Sequence, residues 1–224
     1  MGKRGSPRSG RERMIRIITM EREYGAGGSA IAQKLAQRLN WKLWDTALTA
    51  EIARLARCDQ GSVARLEERV DPLFYRLMKV FMRGSYERSL PVNGLEHLDA
   101  DSMVVFMQRV IEGAATAGDC VIVGRGAPYV LRERLDAFHV FVYAPLEEKI
   151  RRVRDLGKTE AEAVELVGAI DQERATFVKK YFGKDWPSRH LYHLMINSTV
   201  GDDAVVRTIL DEMETLNHAK GKSV

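Results

Sequence analysis

The chain is short of cysteine, of long apolar runs and of net charge outside one segment, and each shortage excludes something. Two cysteines, Cys58 and Cys120, lie far apart among 224 residues without metal-ligand spacing, so neither a disulfide framework nor a zinc site is expected. Both read as small core residues. No apolar run approaches the roughly 18 residues of a membrane span, and residues 1–13 hold no hydrophobic signal core. A cytoplasmic protein without a membrane partner is the expectation.

The net charge of +4 does not point to nucleic acid, because it is confined to one place. Lys3, Arg4, Arg8, Arg11 and Arg13 face a single Glu12 at the start of the chain, and the remainder balances its acids and bases. This Gly/Ser/Pro/Arg-rich leader, 1–13, lacks a hydrophobic pattern and reads as a disordered basic arm or an expression remnant. The rest, 14–224, is long enough to bury a full core.

What the chain does have is a strand, a glycine loop and a helix in succession. Met14-Ile15-Arg16-Ile17-Ile18-Thr19-Met20 is a β-branched run largely apolar on both faces, as in a strand buried in a parallel sheet. Gly25, Gly27 and Gly28 follow, and then Ile31, Ala32, Leu35, Ala36 and Leu39 at helical spacing. Glycines let backbone N–H groups close on an anion, and a helix start adds unpaired donors and the positive end of its dipole. Gly25, Ala26, Gly27, Gly28 and Ser29 are thus the expected nucleotide-phosphate cradle, with the Ser29 hydroxyl available to Mg²⁺. The P-loop pattern G-x-x-x-x-G-K-[ST] is incomplete: Gly27 and Ser29 match, but Gly28 stands in the lysine position and Arg22 in that of the first glycine.

Trp41-Lys42-Leu43-Trp44-Asp45 predicts a second strand, with Asp45 at the carboxyl end where ligands of open parallel sheets bind. Residues 46–98 carry only helical patterns and predict an all-helical insertion, with stretches over 48–56, 62–70 and 72–86. A helix over 99–118 then leads to the buried strand Cys120-Val121-Ile122-Val123, which runs straight into Gly124-Arg125-Gly126. Residues 138–143 predict a strand, 146–156 and 159–182 two helices, 194–197 the last strand and 202–216 the closing helix. Alternating strands and helices imply a doubly wound parallel sheet of about five strands flanked by helices. Arg125, between two glycines directly after a buried strand, has little packing purpose, and its planar fork suits a phosphate. Lys149, Arg151, Arg152 and Arg154 form a basic helical face which on composition alone is a solvated one. The five histidines show no catalytic arrangement, and His190 and His193 read as structural.

Taken in order, these residues resemble the cytidylate kinase-like family of P-loop proteins. The loop Arg22-Glu23-Tyr24-Gly25-Ala26-Gly27-Gly28 is similar to that family's lysine-free loop, and Val121-Ile122-Val123-Gly124-Arg125-Gly126 to its central strand and substrate-phosphate loop. Ala144-Pro145-Leu146-Glu147-Glu148-Lys149-Ile150-Arg151-Arg152 resembles the start of its mobile lid. Asp171-Gln172-Glu173-Arg174 resembles the second lid arm, and Ile196-Asn197-Ser198-Thr199 the final strand. The resemblance implies a P-loop kinase-like domain over 14–224, with 46–98 as the acceptor-binding insertion and about 146–182 as a helical lid. It implies ATP and Mg²⁺, with Ser29 and Asp45 facing the metal and Asp45 holding metal-bound water or an acceptor hydroxyl. It implies Arg125 and Arg174 as acceptor-phosphate contacts and Arg151 and Arg152 as lid arginines closing over the phosphates. Gly126 stands where the family carries an aspartate associated with the acceptor nucleotide.

Phosphoryl transfer is mostly positioning and charge neutralisation, and losing one cation at the transferring group costs on the order of 10²-fold in rate. Arg22 is the candidate replacement for the lysine, with a surface arginine paired to Glu21 or Glu23 as the other reading. Asp45 as a cap for the helix after it, and Arg174 as a plain i,i+3 partner of Asp171, are the structural alternatives. Arg22, Arg151 and Arg152 are therefore expected to be catalytic. The expected activity moves the γ-phosphate of ATP to a small acceptor, CMP first by resemblance. The alternatives are a nucleotide-binding regulatory protein without catalysis and a P-loop kinase for a non-nucleotide small molecule. Oligomeric state is left open.

Overall fold

The structure, a computed structural model, describes residues 14–45, 47–48, 51 and 100–221. The leader 1–13 and nearly all of the 46–98 insertion therefore lie outside the described residues. Five strands, β1 (Ile17–Arg22), β2 (Lys42–Trp44), β3 (Cys120–Val123), β4 (Ala137–Tyr143) and β5 (Leu194–Asn197), form one sheet in the order β2-β3-β1-β4-β5. Every adjacent pair is parallel, with Ile17 opposite both Cys120 and Ala137. The helices that flank it among the described residues are α1 (Gly28–Leu39), α2 (Ala100–Ala117), α3 (Ala127–Val130), α4 (Leu146–Asp155), α5 (Glu160–Phe182) and α6 (Asp202–Gly221).

Both faces of the central strand are covered, which is why its sequence is apolar without alternation. Ile18, Met20, Val121, Val140 and Val142 pack with Ile31 and Leu35 of α1 and Val205 and Ile209 of α6. Ile17, Cys120 and Ile122 pack on the other face with Phe106 and Met107 of α2, Tyr129 of α3 and Phe177 of α5. Ile31 and Leu35 are fully buried, a burial worth about 2 kcal/mol each. α1 stops at Asn40, whose left-handed backbone (φ 53°) lets its N–H close on Ala36 and Gln37. α5 starts in a capping box between Thr159 and Glu162. Among the described residues, two short elements escape the sequence reading, α3 and a 3-10 turn over Ser198–Val200.

The order places β1 between β3 and β4. From β1 the chain goes by α1 to the β2 edge, returns at β3 and then crosses to β4. The loops after β1 and β3 thus open side by side at the point where the winding reverses, the usual ligand crevice of such sheets.

Candidate active site

Beyond Arg22 the chain turns at Glu23, whose carbonyl accepts from the Ala26 N–H at 3.2 Å. It then passes through Gly25 (φ 78°) and Gly27 (φ 79°) into α1. Gly27 is the N-cap and brings no side chain to the helix end, so the first-turn N–H groups, which have no intrahelical acceptor, are left for a ligand. A side chain at position 27 would be strained in the left-handed region and would collide with Arg152 Nη1. The loop and α4 wall a cavity of about 150 Å³ lined by Tyr24, Ser29, Arg152, Leu156 and Arg174 among others. That is below the roughly 300–1,000 Å³ of a pocket for a whole ligand, and suits phosphate groups with the remainder of the molecule outside.

Three guanidinium groups stand together beside this loop. Arg22 is 6 % exposed, Arg125 3 % and Arg174 7 %. Arg22 ends β1, and its side chain passes over Gly28 toward Gly124, so the guanidinium reaches the loop after β3. Arg125 has a left-handed backbone (φ 58°) between Gly124 (φ 70°) and Gly126 (φ 67°). That is a costly conformation for a residue with a Cβ and one that accumulates at functional sites. Arg174, on α5, donates to the Arg22 carbonyl at 2.7 Å and to Asp171 Oδ1 at 3.2 Å. Burial pulls both Arg125 and Arg174 down to about 10, and the neighbouring Arg22 charge pushes each the same way. Both stay charged at neutral pH, in a place where a further negative charge would be favoured.

Asp45 sits between the two loops. It accepts from Ser29 Oγ at 3.0 Å and pairs with Arg125 Nη1 at 3.5 Å, while Arg125 also donates to the Val123 carbonyl at 3.0 Å. The Ser29 hydroxyl and the Asp45 carboxylate are hard oxygen donors side by side at the helix start. That set suits Mg²⁺, which takes one or two protein oxygens and completes its shell with water and phosphate. Among the described residues no group of three His, Cys, Asp or Glu could hold a metal by itself.

Glu21 at the end of β1 and Glu23 just beyond it are both engaged. Glu21, 2 % exposed, accepts from the Gly126 N–H at 3.1 Å and from Trp186 Nε1 at 3.4 Å. Glu23 accepts from the Ala144 N–H at 3.3 Å and pairs with Lys149 at 3.0 Å. Lys149 also pairs with Asp171 at 3.3 Å, and Asp171 in turn accepts from the Tyr24 N–H at 2.8 Å.

The two expected lid arginines part company. Arg152 donates to the Ala26 carbonyl at 2.7 Å and to both the hydroxyl and the carbonyl of Ser198 at 3.1 Å, pinning α4 to the glycine loop and to the turn after β5. Arg151 is turned outward, its side chain 60 % exposed and held by Glu148 and Asp155. Arg22, Gly25, Gly27, Gly28, Ser29, Asp45, Arg125, Arg152 and Arg174 are thus brought together with Ala26, and Arg151 is not.

Sequence reasoning did not single out Glu21, Lys149, Trp186 and Ser198 as site supports. Lys149 was legible in part: it stands one helical turn before Val153, which is 1 % exposed, so it falls on the inward stripe of α4 and not on its basic face. The contacts of Trp186 and Ser198 join segments far apart in sequence and left no local signal.

The profile of the cytidylate kinase-like family matches residues 17–200. No curated protein sequence matches the chain. Among solved structures, an uncharacterized protein from Eubacterium ventriosum ATCC 27560 is similar at a TM-score of 0.64 and 21% identity, over 90% of this chain and 99% of that one. A shikimate kinase from Acinetobacter baumannii in complex with shikimate gives 0.49 and 15% identity, over 91% and 95%. A deoxyadenosine kinase from M. mycoides with bound dCTP gives 0.42 and 11%, over 89% and 99%. At such identities a structural likeness speaks only of the fold. The family match covers most of the chain, and with its P-loop-type parallel sheet this protein belongs to the cytidylate kinase-like family.

Proposed function

We propose that this protein is a Mg²⁺-dependent phosphotransferase of the nucleoside monophosphate kinase type, acting in the cytoplasm on ATP and a small phosphorylated acceptor, CMP first among them. The observation that carries the reading is the gathering of Arg22, Arg125 and Arg174, all buried, between a donor-lined glycine loop and the loop after β3. An oxygen of the acceptor phosphate attacks the γ-phosphorus of ATP, the bond from that phosphorus to the bridging oxygen breaks, and ADP leaves with the electron pair. Backbone N–H groups of residues 25–29 hold the β- and γ-phosphates, and Arg125 and Arg174 orient the acceptor phosphate. Arg22 and Arg152 neutralise charge at the transferring group. Arg151 joins them only if α4 turns it inward from Glu148 and Asp155. Ser29 and Asp45 would hold Mg²⁺, which supplies further charge neutralisation at the phosphates.

One observation favours a different acceptor. The Phe182 ring lies over Gly126, where a Cβ would stand 2.5 Å from Cε2, so position 126 itself offers no side chain to read a base. A non-nucleotide acceptor needs no reader at that position. A coupled assay against nucleoside monophosphates and small hydroxyl acceptors separates the readings. CMP turnover supports the first, and turnover only with a non-nucleotide supports the second. ATP binding without any turnover leaves a nucleotide-binding regulatory protein.

A further inference from the structure

The loop after β1 departs from the P-loop pattern at two positions, and the structure makes these one event. A Cβ on Gly28 would lie 2.7 Å from Arg22 Cβ and Cγ and 3.4 Å from its Cδ. These distances are below or at the edge of ordinary carbon contact, and the obstacle is the root of the side chain, which cannot swing aside without moving the end of β1. Gly28 is not one of the residues with a left-handed backbone, and it is the first residue of α1, a position any residue can take. Nothing in its own conformation demands glycine. Arg22 demands it.

Position 22 is the first glycine of the pattern and position 28 its lysine. We propose that the chain has exchanged them: the cation that ordinarily rises from the lysine position rises here from the first-glycine position, and glycine at 28 is the space it needs. This inference rests on the phosphotransfer reading and assigns Arg22 direct contact with the polyphosphate. The exchange alters the kind of contact as well as its origin. A lysine is a point charge on a flexible stem, whereas the Arg22 fork is planar and buried. It runs from the donor loop to Gly124, where a Cβ would collide with Nη1 and would lie 3.7 Å from Nη2. One side chain thus lies with its stem against the loop proposed for the donor phosphates and with its guanidinium against the loop proposed for the acceptor. Arg22 is only 6 % exposed, so it is not the surface arginine that the sequence left open.

The exchange makes positions 22 and 28 interdependent, which a double-mutant cycle measures. Inorganic tripolyphosphate and ATP, each with Mg²⁺, are titrated calorimetrically into the full chain and into Arg22→Gly, Gly28→Lys and Arg22→Gly/Gly28→Lys, with thermal melting as the check on folding. Each single change is expected to weaken tripolyphosphate binding by about tenfold or more, the loss of one charge-assisted contact. Gly28→Lys should also lower the melting temperature by overpacking. The double variant should recover to within about threefold of wild type, against a loss of about 100-fold if the two effects merely multiplied. If Arg22→Gly melts early, Arg22→Lys, which keeps the stem and the charge but not the fork, should melt normally and bind about threefold or more weaker. Full affinity in Gly28→Lys, or a double variant as weak as the product of the singles, overturns the exchange. If that happens while wild type turns over an acceptor, the phosphotransfer reading stands. If binding depends on Arg22 but no acceptor is phosphorylated, the exchange stands and the phosphotransfer reading falls.

Discussion

Residues 23–29 and 124–126 leave adjacent parallel strands and both depend on glycines with positive φ, yet they use them for opposite ends. In the first loop glycine removes side chains: Gly27 caps α1 without a side-chain bond and leaves the helix N–H groups open. In the second it frames one: Gly124 and Gly126 flank Arg125, which is held at φ 58° with its guanidinium buried. The first loop therefore offers its backbone and the second a single charge, and Arg22 crosses from one to the other. A kinase needs both kinds of contact, since donor phosphates are bound all along the chain of oxygens while an acceptor must be aimed. The contrast shows that a glycine-rich sequence does not by itself say which kind a loop provides; the neighbouring side chains decide.

Four measurements would break or sharpen the contrast. Gly27→Val places a β-branched residue at φ 79° against Arg152; it should reduce ATP affinity by about 10³-fold in calorimetry, because backbone donors cannot be replaced by side chains. Retained affinity would mean the loop does not work through its backbone.

The contrast also assumes that both loops stand on one firm floor, and that floor has a pH limit. His139 on β4 is buried, shares a 2.7 Å hydrogen bond with Thr19 on β1 and stacks on His193 at 5.1 Å. Burial, followed by the charge of His193, pushes its pKa from 6.5 down to about 4. The unfolded chain then binds more protons than the folded one between those values, so stability is complete above pH 6.5 and is lost as pH falls toward 4. Denaturant titrations should show a loss of roughly 3 kcal/mol across this window, with a smaller slope in His139→Asn.

Arg125→Gly removes the charge of the second loop while relieving its backbone. Acceptor KM should rise by about 30-fold with kcat less affected, and the melting temperature should hold or rise, since a left-handed non-glycine residue costs about 1 kcal/mol. A sharp drop in melting temperature would make Arg125 a structural residue. The smallest effect separates neighbours on α4. Arg152→Ala, which frees Ala26 and Ser198, should raise the KM for ATP about tenfold. Arg151→Ala removes only exposed pairs with Glu148 and Asp155 and should change stability by less than about 0.5 kcal/mol and activity little.

The fold was legible where burial imposes a period on the sequence. The strands at Cys120–Val123 and Leu194–Asn197 coincide with the apolar runs that predict them, and α5 begins at its Thr159 cap. α3 was missed because four residues with Pro128 among them carry no helical period. The site was legible where one segment holds the whole signal, as at residues 25–29 and at Arg125. It was illegible where meaning depends on a distant partner. The sequence places Arg22 and Gly28 in the same loop, but only the folded chain brings the stem of one over the Cα of the other. Arg151 and Arg152 are adjacent and chemically alike, and the rotation of about 100° per helical residue sends one to solvent and the other to Ser198.

The ring of Phe182 rests on Tyr129 at 5.1 Å and closes the space over Gly126. A side chain introduced at 126 would meet that ring as well as the strain of a left-handed backbone (φ 67°), so residues 126 and 182 are coupled. Reshaping this corner in the laboratory therefore calls for libraries in which codons 126 and 182 vary at once.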